Sequence, residues 1–426
     1  MSDHHLWHPF ANMARVPAEE LTIVSGSGSW VTDDHGRRYL DASASLWYCN
    51  IGHGREELAE AAAAQMRRLA AYHTFDVFAN PPAQELARRL AHITPTGPGS
   101  AVFFTSGGSE AIDTAAKLAR RYFTAIGQHE RTHLVSRAQG YHGTHGLGTS
   151  IGGIPSNREG VGPLDPDSSV VAWDSVEALE AEIERLGANR VAAVFVEPVI
   201  GAGGVLQPPA GYVEGVAELC ARTGVLFVCD SVIAAFGRLG TWFGAERFGV
   251  RPDLLTFAKG VTSGYLPLGG VVVSAKVAAP FWEDGAWFRH GPTYAGHPTV
   301  CAAAMANLDI IERESLLDRG RELEDEIGAA FGGLADHPLV GEIRAGIGAL
   351  AGVGFAREAL AEAPDLPARI FAAGRERGVL VRPLGDGVAF SPPLIITREE
   401  VEHVAEVLGE ALDAVARDVP AAAAAG

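Results

Sequence analysis

The sequence predicts an α/β fold with a mostly parallel sheet flanked by helices, on three observations. From about residue 100, short apolar runs alternate with amphipathic stretches. The apolar runs show no polar alternation, as in strands buried on both faces. After about residue 315 the pattern changes to helices around short strands, which marks off a smaller α+β part.

The elements follow in order. The first fifty-odd residues read as irregular, with a hairpin around Asp33-Asp34-His35-Gly36. Ala101–Thr105 is a strand, followed by a helix from Ser109 to about Ile126 with Ile112, Ala116, Ala119 and Phe123 at apolar positions. Strands are expected at His133–Ser136, Val170–Trp173 and Val191–Val196, the last preceded by a helix over Ser175–Leu186. A helix at Gly211–Arg222 feeds the strand Val225–Cys229, and Leu254–Ala258 and Gly270–Ser274 complete the set. Helices at Leu316–Phe331, Leu366–Arg377 and Arg398–Val415 then surround short strands within Val340–Phe355 and Val379–Arg382. This organisation divides the chain into an N-terminal segment (1–55) packing with the small domain, a large domain (56–315) and a C-terminal small domain (316–426). The alanine-rich tail after Val419 reads as frayed, and no internal repeat is found.

Composition narrows the function. The 426 residues are 47% apolar and carry a formal net charge of −18. That balance lacks the basic footprint of a nucleic-acid binder. Met1–Phe10 has neither the positive region nor the apolar core of a secretory signal. No apolar run approaches the roughly 18–20 residues of a membrane helix. Cys49, Cys220, Cys229 and Cys301 form no C-x-x-C pair, so neither a zinc framework nor a disulfide scaffold is expected. The expectation is a soluble cytoplasmic enzyme with no nucleic acid or membrane partner.

Three constellations could carry chemistry. Phe103-Phe104-Thr105-Ser106-Gly107-Gly108-Ser109-Glu110-Ala111 joins a strand end, a Gly/Ser turn and a helix start. Such a turn exposes backbone N–H groups to an anion; taken alone it reads equally as a plain turn with Ser109 as N-cap. Asp230 directly follows the apolar run Val225–Cys229, at the sheet edge where open α/β folds bind ligands. A helix N-cap or surface turn is the bland alternative there. Lys259 follows Leu254–Ala258 and precedes Gly260-Val261-Thr262-Ser263-Gly264. A lysine at a buried strand end loses hydration and becomes nucleophilic near neutral pH. The other two lysines, Lys117 and Lys276, fit solvated positions. A phosphate cradle, a carboxylate for a pyridine nitrogen and a Schiff-base lysine on one sheet edge are together what pyridoxal phosphate requires.

Three other motifs carry less. Gly148-Thr149-Ser150-Ile151-Gly152 matches a serine-hydrolase elbow but lacks the strand before and the helix after. Gly346-Ile347-Gly348-Ala349-Leu350-Ala351 matches a dinucleotide fingerprint but reads as a Gly-rich strand pair. The histidines at 4, 5 and 8, and the pair His142/His145, have no thiolate or carboxylate at metal spacing.

The chain resembles the class III pyridoxal-phosphate aminotransferases, in their omega-amino-acid or amine:pyruvate branch. The resemblance runs nearly end to end. It is carried by Trp7-His8-Pro9-Phe10, Leu46-Trp47 to Gly52-His53-Gly54, Ser106–Ala111, Tyr141-His142-Gly143 and Glu197–Gly204. Asp230 with Gly237-Arg238, Pro252–Gly260 and Thr293–Pro298 complete it. It implies a fold-type I enzyme whose Lys259 joins pyridoxal 5′-phosphate and shuttles a proton, with Asp230 on the pyridine nitrogen. Gly108 and Ser109 would hold the phosphate, Tyr141 and Val232 the two ring faces. The resemblance also implies a homodimer or higher homo-oligomer in which Thr293 reaches the phosphate from a neighbouring subunit. Trp47, Phe10 and Tyr141 would line the substrate pocket, and Arg382 would bind the keto-acid carboxylate. Two departures stand out: Ser231 replaces the usual acid after Asp230, and Ala202 replaces the glutamate that pairs with the substrate arginine in ornithine- and GABA-type relatives. The second favours pyruvate or another small keto acid over 2-oxoglutarate as acceptor for a primary amine or omega-amino acid. The alternatives are another class III chemistry (aminomutase, decarboxylating aminotransferase or lyase) or a 2-oxoglutarate-dependent aminotransferase.

Overall fold

The computed structural model describes residues 5–283 and 285–418; His4 and the tail from Val419 lie outside the described residues. The strands in chain order are β1 (Ile23–Ser27), β2 (Trp30–Asp33), β3 (Arg38–Asp41), β4 (Ala101–Thr105), β5 (His133–Arg137), β6 (Ser168–Val171), β7 (Val191–Val196) and β8 (Leu226–Asp230). They continue with β9 (Leu254–Phe257), β10 (Gly269–Val273), β11 (Val340–Arg344), β12 (Ala351–Phe355), β13 (Val379–Leu380), β14 (Arg382–Pro383) and β15 (Gly387–Phe390).

The central sheet has the order β4-β10-β9-β8-β7-β5-β6. β10 runs antiparallel to both neighbours, and every other pairing is parallel. Successive side chains of a strand point to opposite faces, and here both faces are apolar. Leu226 and Val228 enter one core cluster with Leu254, Val271 and Val273, which the helix Gly108–Ala125 covers with Ala111, Ile112, Ala115 and Ala119. Phe227, Cys229, Leu255 and Val272 enter the other, with Val213, Val216 and Leu219 of the helix Tyr212–Thr223. Uniform burial on two sides is why the strand runs lack alternation.

Two smaller sheets flank it, β1-β2-β3-β13 and β11-β12-β15-β14. The stretch expected as one strand, Val379–Arg382, divides between them. Val379–Leu380 pairs in parallel with β3, while Arg382–Pro383 pairs with β15. The N-terminal region is less irregular than expected: the hairpin around Gly36 is present, with β2 and β3 antiparallel and β1 added beside β2. The strand expected at Val170–Trp173 is instead Ser168–Val171, an edge strand whose first half is serine and so gives no apolar signal. Among the described residues, no helix is long and apolar enough to cross a membrane.

Candidate active site

The parallel strands β8 and β9 end at one edge of the central sheet, and their sequels converge there. Asp230 closes β8 and is buried. Its carboxylate is fully engaged: Oδ1 accepts from Val232 N at 3.1 Å and Thr256 Oγ1 at 3.0 Å, and Oδ2 lies 2.8 Å from His142 Nδ1. A buried carboxylate is stable only with such donors, so the surface-turn alternative does not hold.

Lys259 stands two residues past β9, at the start of a single 3₁₀ turn, with φ at +47°. A side chain in this left-handed region costs of order 1 kcal/mol or more. Its Nζ makes no hydrogen bond or ion pair among the described residues. Burial drives the amine down to about 8, against the opposing pull of Asp230 and Glu197 and together with repulsion from Arg382. Lys117 and Lys276 are exposed, the latter paired with Asp253 at 3.0 Å.

The turn after β4 leads into the helix at Gly108, one residue earlier than expected, so Ser109 is not the N-cap. Ser106 N instead donates to Glu110 Oε2 at 2.7 Å, and Ser109 Oγ accepts from Thr144 N at 3.2 Å. The first amides of the helix have no intrahelical acceptor, which leaves them for an anion. A Cβ built on Gly108 would stand 3.0 Å from Val232 Cγ1, so a side chain there would fill the cradle. Gly143 (φ +83°) is required twice over, because its Cβ would fall 2.4 Å from Ser109 Oγ.

These groups line one cavity of about 460 Å³. All the site residues expected from the sequence share it, except Thr293. Thr293 is exposed, on the segment that Thr74 and Asn80 hold by hydrogen bonds to Ala295 and Gly296 carbonyls. Arg382 is half-buried rather than a free surface arginine, and among the described residues its guanidinium has no hydrogen bond or ion pair. Desolvation lowers its pKa from the ordinary value. Ala202 faces the same cavity with no acid to offer it. Ser231 is buried and does not line the cavity, its amide donating to Thr256 O at 3.0 Å.

Three residues of the site were not singled out for it. His142 has no ligand partner at local spacing in the sequence; its carboxylate partner in the structure is Asp230, 88 positions away. Glu197 is buried and raised in pKa, first by desolvation; its carboxyl accepts from Tyr141 N at 2.8 Å and Gly201 N at 3.0 Å. Thr256 gave no signal. Ser150, in the hydrolase-like motif, is buried in a short helix and donates to Gly146 O at 2.8 Å.

A model of aminotransferase class-III matches residues 12–412. The chain belongs to the class-III aminotransferases. It is an aminotransferase, and enzymes of this class depend on pyridoxal 5′-phosphate. The putrescine–pyruvate aminotransferase of Pseudomonas aeruginosa is 37% identical to it, over 98% of this chain and 96% of that one. The beta-alanine–pyruvate aminotransferase of the same species is 38% identical over 96% of each. Among solved structures, a thermostable (S)-enantioselective omega-transaminase from Thermomicrobium roseum superposes with a TM-score of 0.91 at 42% identity, covering 98% of this chain and 97% of that one. An amine transaminase from an uncultivated Pseudomonas species, solved in its PLP-bound form, gives 0.91 at 36% identity, over 98% and 99%.

Proposed function

We propose that this aminotransferase moves an amino group from a primary amine or omega-amino acid to pyruvate or a similar small keto acid, with pyridoxal 5′-phosphate held in the cavity described above. One cavity gathers a lysine amine and an arginine that have no polar partner among the described residues, a buried aspartate and a helix N-terminus, and this carries the proposal. The parts fit the cofactor by kind: helix amides and the Ser109 hydroxyl for a phosphate, Asp230 for a pyridine nitrogen, Lys259 for an aldehyde. Tyr141 and Val232 are taken for the two faces of the ring.

Bound pyridoxal phosphate supplies an aldehyde that captures amines and a protonated ring that takes up the electron pair released at the substrate carbon. Asp230 would keep the ring nitrogen protonated, and His142, Thr256 and the Val232 amide hold Asp230 in place. Lys259 Nζ takes the proton from the Cα of the bound amine. An amine near 8 exists in both forms at neutral pH, so it can accept a proton and return one. Arg382 binds the carboxylate of the keto acid. Ala202 leaves that guanidinium free to turn aside, so an apolar amine meets Trp47, Leu46 and Phe10 instead. The pyruvate named for two of the relatives supports the choice of acceptor.

The active unit is taken to be a homodimer in which the partner subunit's Thr293 reaches the phosphate. The exposure of Thr293 and of nearby apolar side chains supports this. We further propose that the chain divides at 55 and 315, and the pairing of β13 with β3 supports the N-terminal segment packing with the small domain. Four buried, unpaired cysteines suit a reducing cytoplasm.

A screen of amine donors with pyruvate, read as alanine formed, tests the reaction. Alanine is expected from omega-amino acids and monoamines; a strong preference for 2-oxoglutarate over pyruvate overturns the acceptor. Lys259→Ala is expected to cut turnover at least ~10³-fold while the protein still binds cofactor. Normal rates without the ε-amine would remove the proposal.

A further inference from the structure

We infer that Arg344 is a positioning residue for substrate choice, tying the loop that carries Ala202 to the turn that follows Arg382. The inference rests on the proposed role of Arg382 as carboxylate binder.

The first loop, 201–204, leaves the central sheet after β7. Glu197 Oε2 holds its start through Gly201 N, and Val205 N closes it on Gly201 O at 2.9 Å. Its far end is held by Arg344, whose Nη1 donates to Gly204 O at 2.8 Å. The second loop is the turn between β14 and β15, in a different sheet. Arg382 pairs with Ala389 and Pro383 with Val388, and Leu384 N donates to Gly387 O at 2.8 Å. In that turn, Asp386 accepts from the same guanidinium through both oxygens, Oδ1 from Nη1 at 3.1 Å and Oδ2 from Nη2 at 2.5 Å. Arg344 Nε is engaged by Glu342 Oε1 at 2.7 Å.

The guanidinium lies in a slot shaped for it. A Cβ on Gly204 would stand 2.8 Å from Nη1, and one on Gly354 2.7 Å from Nη2. Only 10% of the Arg344 side chain is exposed, and it projects from the paired strand β11. A planar fork that meets a carboxylate with two parallel bonds fixes direction as well as distance; a lysine would supply charge without the fork. Asp386 is itself 48% exposed, so solvent screens the pair and its effect lies in geometry more than in stability. Arg344 thus sets how far the Arg382 wall stands from the Ala202 wall, without touching substrate.

The test uses full-length holoenzyme. Arg344→Met is expected to raise KM for pyruvate and for beta-alanine at least tenfold while kcat falls less than threefold. KM for benzylamine, which has no carboxylate, changes less than threefold, and the bound-cofactor absorbance is kept. Arg344→Lys restores only part of the pyruvate KM. On an Arg382→Gln background, adding Arg344→Met shifts the pyruvate KM less than twofold. If Arg382→Gln raises the pyruvate KM but Arg344→Met does not, the inference alone is overturned. Equal losses with benzylamine and pyruvate, or loss of cofactor, also overturn it, since they report a merely structural role. If Arg382→Gln leaves the pyruvate KM unchanged, the role of Arg382 falls and this inference with it.

Discussion

Lys259 is held in two unfavourable states, a left-handed backbone and an amine removed from water. Neither improves folding. Because its folded pKa lies near 8, below the ordinary lysine value of 10.5, the folded state resists protonation that the unfolded chain accepts freely. The penalty is full below about pH 8 and fades between about 8 and 10.5, where the unfolded amine also loses its proton. Lys259→Met is therefore expected to stabilise the apoprotein by roughly 1–3 kcal/mol near pH 7 and by progressively less as pH rises toward 10.5. Denaturant unfolding across that range checks it; a gain independent of pH would mean that the amine is not the cause. At this scale Lys259 and Asp230 were legible, since each ends an apolar run. His142 and Arg344 were not, because their partners stand 88, 140 and 42 positions away and no local spacing reports such pairs.

Between residue and fold, the proposed phosphate cradle depends on two elements meeting. The helix Gly108–Ala125 brings Ser109, and the Tyr141–Gly143 loop crosses above it so closely that only a glycine fits. Gly143→Ala is expected to displace Ser109 and weaken cofactor binding about tenfold, about 1.4 kcal/mol, with the far-UV spectrum unchanged. Gly146→Ala, three residues on and with open space around its Cβ position, serves as the control and should bind normally. Unchanged affinity in the first variant would take Ser109 out of the cradle. Elements with continuous apolar runs, β7 to β10, were legible nearly to the residue. The serine-rich edge strand β6 was misplaced, and Val379–Arg382 divided between two sheets because β3 claims one half and β15 the other. That assignment is tertiary and leaves no mark in hydropathy.

Over the whole molecule, the α/β architecture was legible because a doubly buried sheet imposes its pattern on every strand. Thr293 was expected at the phosphate of a neighbouring subunit through the resemblance alone, since no local rule says which copy of the chain it serves, and in this chain it is exposed and outside the cavity. Phe75, Val77, Phe78, Trp287 and Tyr294 are all exposed, Val77 by 91%, beside the segment that bears Thr293. Exposed apolar groups gathered in this way mark an interaction surface, and the proposed homodimer would use it to bring each Thr293 to the partner subunit's cavity. If the proposed homodimer uses this surface, Phe75→Asp with Val77→Asp shifts the sedimenting species from dimer to monomer and lowers cofactor affinity together; a wild-type protein that sediments as a monomer removes the proposal. Subunit mixing separates a shared site from a private one. Lys259→Ala chains lack the amine but keep Thr293, and Thr293→Ala chains do the reverse. In a mixed dimer, a site that takes its threonine from the partner is restored once. With equal mixing, activity at limiting cofactor should rise by about a quarter of the wild-type value above the Thr293→Ala baseline. If Thr293 served its own chain, no mixed dimer would hold an intact site and mixing would add nothing.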